Sequence, residues 1–583
     1  MSESSVVIET DAAEVAAAPQ AFILPLAGVS LASVWLAACG GGGDGGSEPI
    51  GAAPAPGATP APGAGAPPSA TPSPAVLPLP TEKQAARFLS QASLGALPED
   101  VESLKSNGYA AWIEAQFVLP SDTSRWDWLV ANNYLSTNPA GSLGLDNLLW
   151  RKLIASPDTL RQRVTIALSE IFVVAATVNS NYRQFATAAY MDLLEQYAFG
   201  SFRSMLEAIT LNPAMGLWLN MLGNRREDPA TGRVPDENYA REVMQLFTIG
   251  IFKLNPDGST VIENGKPAET YSQNDILGLA RVFTGWTYGV PRTNTNPEHM
   301  RAPMSLVAAN HSTLEKKFLG VTIPAGTDGV ASLKIALDTL ANHPNVGPFI
   351  GRQLIQRLVT SNPSASYIGR VSAAFNNNGG GVRGDMKAVI RAVLLDAEAL
   401  DDGKLTVPEW GKLREPMLRY VQWARTFKAT SPTGQWNIGN TSDPSTRFGQ
   451  SPFRSPSVFN FFRPGYVPPN TSIGAKQLVA PELQITNESS TIGYVNYLQT
   501  AISTGIGEVR SAYSDYLALA ADVNALVDRV ALLLSGAQLS SATINQIRAA
   551  VSTIAGVTEA DRLRRVQSAV LLVMASAEYL VQK

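Results

Sequence analysis

The stretch Pro235–Phe252, P-D-E-N-Y-A-R-E-V-M-Q-L-F-T-I-G-I-F, decides how this chain is read. Placed on a helix, it divides into two faces. Tyr239, Val243, Leu246 and Phe247 recur at i, i+4, i+7 and i+8, the spacing of a buried stripe. Asn238, Arg241, Glu242 and Gln245 recur at helical spacing on the other side. Pro235 and Asp236 suit a helix entrance, and Gly250 suits its end. The polar face holds two amides, a guanidinium and a carboxylate. In a functional reading Glu242 is a general acid/base and Arg241 holds an anionic or hydroxyl-rich ligand, with Asn238 and Gln245 as further ligand contacts. In a structural reading the same groups form a hydrogen-bonded network tying neighbouring helix ends, with Glu237 and Arg241 as an ordinary i, i+4 pair.

Five further segments extend the pattern: Tyr271–Trp286 (YSQNDILGLARVFTGW), His343–Pro363 (HPNVGPFIGRQLIQRLVTSNP), Lys412–Pro416 (KLREP), Gly449–Phe459 (GQSPFRSPSVF) and Val479–Asn487 (VAPELQITN). Together with the first run they make the chain, from about Glu82 to its C-terminus, resemble a bacterial family of exported proteins known as domain of unknown function 1800. The resemblance implies no substrate. It implies histidines in two segments, which His311 and His343 match, and a co-exported protein as partner. It also implies a Trp-His-x-His-Phe-like run after an early helix. Here that run reads Ala167-Leu168-Ser169-Glu170-Ile171-Phe172. A metal mechanism relying on those histidines is in doubt for this chain, unless Glu170 substitutes as an oxygen ligand.

The chain has 583 residues, 45% of them hydrophobic, enough for a large core. Its net charge of −4 and the lack of a basic stripe speak against nucleic acid as a partner. One cysteine and three histidines leave no disulfide and no cysteine-based metal cage. Which metal or cofactor is used, if any, is open at this level. The cysteine ends an apolar run, Ala21–Ala38, as Leu36-Ala37-Ala38-Cys39-Gly40, similar to a bacterial lipobox. Residues 1–39 therefore read as a signal peptide with Cys39 as the lipidated residue, which predicts a chain anchored in the cell envelope, at the outer membrane or in the periplasm. Against this, no Lys or Arg precedes Lys83, while Glu3, Glu9, Asp11 and Glu14 are acidic. A membrane span is the competing reading, but the run is short of about 20 residues and contains Pro25. Residues 40–80, built from Gly, Ala, Pro, Ser and Thr, read as a disordered, semi-rigid tether.

From residue 81 to 583 the pattern is mainly α: a large multi-helix body with a small β-hairpin insertion and a long ordered loop. Helical spacing covers 83–94, 99–117, 158–176, 190–199, 202–210, 346–360, 366–375, 385–395, 416–427, 509–535, 541–554 and 559–580. Asn264-Gly265 predicts a hairpin turn, and Phe318–Ile323 a short strand. Thr430–Ala475 has neither period and is rich in Pro, Gly, Asn and aromatic residues. It reads as a loop packed by its rings, functional in character, and as the place where the body could divide.

Three more groups are candidates. Asp275 reads as a helix-start carboxylate beside Ser272, or as a ligand contact with Arg281. His311 serves as a catalytic acid/base and His343 as a ligand contact if they converge on Glu242 or Asp275; otherwise both are structural hydrogen-bonders. Arg352 and Arg357 on one helix, and Arg414 with Glu415, are fitted to bind carboxylate or phosphate, or to form interhelical salt bridges. G-x-S-x-G, H-E-x-x-H, Walker A and dinucleotide fingerprints are absent from the sequence. The reading is an envelope protein with a helix-lined polar pocket, a hydrolase acting on a surface polymer or an anionic small molecule. The alternative is a non-catalytic surface protein that docks its co-exported partner through the aromatic loop.

Overall fold

Thr81 opens the first helix, Glu82–Ala92, with a capping box: it accepts the Gln84 N–H, and the Gln84 side chain bonds back to the Thr81 backbone. The same device, with Ser272 and Asp275, opens Gln273–Val282 as the sequence predicts. The computed structural model describes residues 77–583, apart from 139–140, 179–180 and 294. The predicted signal segment with Cys39, and residues 40–76 of the predicted tether, lie outside the described residues. Among the described residues there are 24 α-helices and four two-stranded antiparallel sheets, so the body is mainly α. No helix among them is long and apolar enough to cross a membrane.

The signature run forms a shorter helix than its periodicity predicts, Asn238–Gln245. Asp236 accepts the Asn238 N–H at the entrance. At the exit Gly250, at φ 69°, donates its N–H to the Met244 carbonyl. A Cβ at Gly250 would lie 2.9 Å from the Phe349 ring, so chirality and packing both demand glycine there. The apolar face is buried: Tyr239 stacks edge-on to Phe283 and donates to Thr210 Oγ1, and Phe247 packs on Phe172. Leu246, predicted in that stripe, is only half-buried.

Two longer predicted helices are interrupted, each for a physical reason. The one predicted over 158–176 spans Thr159–Ser169. Beyond it, Arg357 Nη2 donates to the Glu170 carbonyl and Tyr190 Oη to the Phe172 carbonyl. Those acceptors are engaged by distant side chains and cannot serve a continuing helix. The one predicted over 509–535 begins only at Val523, where Asp522 accepts the Asn524 and Ala525 N–H groups. Upstream of it Arg510 pairs with Thr430, and Tyr513 sits at φ 53° with its hydroxyl between Trp423 and Ile502.

The Asn264-Gly265 hairpin forms between Ile262–Glu263 and Lys266–Pro267. The Phe318–Ile323 segment closes a second hairpin, Lys316–Phe318 with Val321–Ile323. This hairpin lies against the helix Gln273–Val282 so closely that a Cβ on Gly278 would stand 1.7 Å from the Lys317 carbonyl oxygen. Backbone cannot yield as a side chain does. Gly278→Ala is therefore expected to cost roughly 1–3 kcal/mol, measured as a lowered urea midpoint; an unchanged midpoint would show that the hairpin is free to lift. The predicted loop has no helix or named strand between Thr426 and Ser472. Its rings face inward: Phe448 lies between Tyr420 and Tyr497, and Phe453 lies on Tyr190. The C-terminal strand Val581–Gln582 pairs with Lys412–Leu413, drawing the KLREP segment into the core.

Candidate functional site

Four segments distant in sequence meet at one buried ionic cluster. The helix Thr159–Ser169 and the residue after it bring Arg163 and Glu170. The helix Val346–Leu358 brings Arg357, the KLREP strand brings Lys412 and Glu415, and the turn Pro481–Ile485 brings Glu482. None of the six side chains is more than 5% exposed. Lys412 Nζ is the hub, 3.0 Å from Glu482, 3.6 Å from Glu415 and 2.9 Å from the Arg357 carbonyl oxygen. Gln450 Nε2 donates to Glu415 at 2.8 Å. Arg357 Nε lies 3.5 Å from Glu170.

Glu170 stands apart from the other two acids. Neither of its carboxyl oxygens has a hydrogen-bond partner, and Glu415 Oε1 has none either. Burial, reinforced by the adjacent Glu415 charge, pushes the Glu170 carboxyl well above the usual carboxylate range, against the pull of Arg357 and Lys412. Burial also acts to raise Glu415, but Lys412, the neighbouring Glu170, Arg163 and Gln450 together hold it below that range. Their surroundings therefore push the two carboxyls in opposite directions, Glu170 up and Glu415 down.

The carboxyl oxygens of Glu170 are themselves buried, but the residue borders open space. It lies on the floor of a cleft of about 660 Å³. One wall is the segment from Gln245 to Leu254 that follows the signature helix, the second is the helix carrying Phe349, Arg352 and Gln353, and the third is the loop residues from Val458 to Val467. The Nε2 of Gln353, 8% exposed, has no partner. Behind Glu170 a separate chamber of about 10 Å³ is bounded by Ser451, Ser455 and Asn460. Their Oγ, Oγ and Nδ2 atoms are buried without protein partners. Its size and polarity suit one water molecule in contact with the acid.

The residues singled out from sequence are distributed differently. Gln245 and Arg352 line the cleft. Gln245 also accepts from the Tyr271 hydroxyl. Glu242 is buried beneath the helix, its Oε2 without a partner and its carboxyl raised by burial. Arg241 turns away to Glu237 and Gln273, at 3.1 and 3.3 Å. Asn238 stays half-buried at the helix start. Asp275 completes its capping box and accepts the Leu319 N–H at 2.7 Å, tying down the Lys316 hairpin. His311 is buried, with Nδ1 2.9 Å from the Thr284 carbonyl oxygen; burial lowers its pKa, so it is held neutral. His343 accepts the Asn345 N–H through Nδ1. Arg414 donates to the Tyr579 carbonyl and lies over that ring, and burial lowers its pKa to about 10. Of the residues singled out from sequence, Glu170, Arg357 and Glu415 belong to the ionic cluster. None of Glu242, Arg241, His311, His343 and Arg414 lines the cleft. Each is held by its own local partners instead. Among the described residues no group of three or more His, Cys, Asp or Glu could hold a metal ion.

Lys412, Glu482, Arg163 and Arg463 were not among the predicted site residues. A carboxylate inside the apolar run ALSEIF, and basic and acidic residues inside KLREP and VAPELQITN, are the signals that could have drawn attention to the cluster. Charged residues within otherwise buried segments need partners.

The model of one protein family, described as a protein of unknown function (DUF1800), matches residues 87–581. No curated protein and no solved structure matches the chain.

Proposed function

The chain belongs to the DUF1800 family, and from that premise we propose that it is an exported, lipid-anchored envelope protein whose cleft binds a polar ligand and hydrolyses it with Glu170 as the acid. The observation that carries this reading is a carboxyl without donors, raised by burial beside Glu415, on the floor of an open cleft. An acid that keeps its proton at neutral pH can deliver it to a leaving oxygen. Once Glu170 is ionised, the neighbouring Glu415 charge makes it a strong base, so it recovers a proton from the attacking water and the cycle closes. Gln245 and Arg352 contact the ligand in this reading. Glu242 and Arg241 hold the helix that presents Gln245. The anchoring half rests on the Leu36–Gly40 lipobox and the Pro-rich stretch after it.

The hydrolytic half is tested by a thermal-shift screen of envelope polymer fragments and anionic metabolites against the purified chain. At least one compound is expected to stabilise wild type but not Arg352→Ala, and to be cleaved by wild type but not by Glu170→Gln. Compounds that bind and are cleaved equally by all three chains would place the activity outside the cleft. Mass spectrometry of the mature N-terminus tests the anchor: an acylated Cys39 is expected, and an unmodified N-terminus ahead of residue 39 contradicts it.

A further inference from the structure

We infer that the cleft is built for a phosphate monoester or an equivalent dianionic ester, its charged group held by Arg352, Arg357 and Arg463 and its organic body laid against aromatic walls; this rests on the cleft being the working site. The ionisable side chains that line it, tyrosine apart, are those three arginines and Glu170. Three guanidiniums stand against one acid, so the cleft carries an excess of positive charge, in a chain whose net charge is −4. Arg357 is engaged with Glu170 and with the Gln353 and Glu170 carbonyls. Arg352 and Arg463 differ: among the described residues neither guanidinium makes an ion pair or a hydrogen bond to the protein. Arg463 lies over the Phe459 ring, 4.6 Å from its centre, which fixes its plane without using its N–H groups. Guanidinium forks match a phosphoryl group bidentately, and several of them can serve its three outer oxygens, whereas a carboxylate offers only two. The unpartnered Gln353 Nε2 adds a neutral donor beside them. A cleft of about 660 Å³ is far larger than a phosphate ion, and Phe252, Phe349, Phe459 and Tyr466 line the remainder. That combination of a charged end and an aromatic body site selects an ester over the free ion.

Calorimetric titration of the full chain with phenyl phosphate, inorganic phosphate and benzoate reads each part separately. Phenyl phosphate is expected to bind at least roughly tenfold more tightly than either of the others, and Arg352→Ala and Arg463→Ala each to weaken it by roughly tenfold or more. Both arginines are exposed, so these chains should fold. Benzoate binding as tightly as phenyl phosphate, or phenyl phosphate binding untouched by both substitutions, overturns the inference. Competition by vesicles carrying phosphatidic acid would mark the ester as lipid-borne, and its absence as soluble; either supports the class. Glu170-dependent turnover reads the hydrolytic proposal separately from binding. Turnover of some other compound by a wild type that ignores phenyl phosphate overturns the phosphate assignment alone. Tight binding of phosphate esters without any Glu170-dependent turnover overturns hydrolysis alone.

Discussion

Lys412→Met is expected to lower stability by about 3–5 kcal/mol, the range for breaking a buried ion pair by removing one partner. The ammonium lies 3.0 Å from Glu482 and 3.6 Å from Glu415, and its side chain is 2% exposed. Its loss leaves two buried acids short of a cation, and the Arg357 carbonyl oxygen loses one of its two side-chain donors, keeping Arg163. The methionine fills much of the same volume, so the loss is one of charge rather than of packing. Adding Glu482→Gln to Lys412→Met should recover part of the stability, since it removes one of the stranded charges; the two changes are coupled through direct contact. Urea unfolding of the four chains in that cycle gives the coupling. A single-substitution loss below about 1 kcal/mol, or strict additivity, would show that water reaches the cluster and screens it. An exposed pair such as Arg203–Glu207 should be nearly silent by comparison.

Glu170→Gln is expected to change how stability depends on pH. Folding raises the pKa of this carboxyl, through burial first and the Glu415 charge second. At pH below the ordinary glutamic acid value both folded and unfolded chains carry the proton, and wild type keeps its full stability. As pH rises beyond that value the unfolded chain releases its proton first. Wild type then loses stability relative to the glutamine chain until the pH passes the folded value, after which the gap is constant. Each unit of separation between the two values contributes about 1.4 kcal/mol. Glutamine keeps the shape, so the comparison isolates the charge. Glu482, raised by burial, is common to the two chains, whereas Glu415 perturbs Glu170 and is perturbed by it, so the difference between the curves reports the pair. Stability curves that run parallel from acid to neutral pH would contradict a raised Glu170.

Much of the fold was legible in the sequence because it is written locally. The capping residues Ser272 and Asp275, the proline at the start of Pro416–Thr426 and the Asn264-Gly265 turn each act within a few residues. Helix lengths were less legible where a distant side chain competes for the backbone, as Arg357 and Tyr190 do after Ser169. The two-faced signature helix buries its apolar side, but its polar side does not gather one site. Arg241 finds Glu237 and Gln273, while Gln245 alone reaches the cleft. The ionic cluster depends on segments near 163, 357, 412 and 482 meeting, and no periodicity within one segment encodes that meeting. What each segment does carry is a charge amid apolar neighbours.

The central claim is that Glu170 holds a proton at neutral pH within reach of the cleft. Infrared difference spectroscopy of wild type against Glu170→Gln measures this most directly. A carbonyl band of a protonated carboxylic acid is expected in wild type at neutral pH, absent from Glu170→Gln and retained in Glu242→Gln. Wild-type and Glu170→Gln spectra that coincide in that region would contradict it, because Glu170 would then be an ordinary carboxylate.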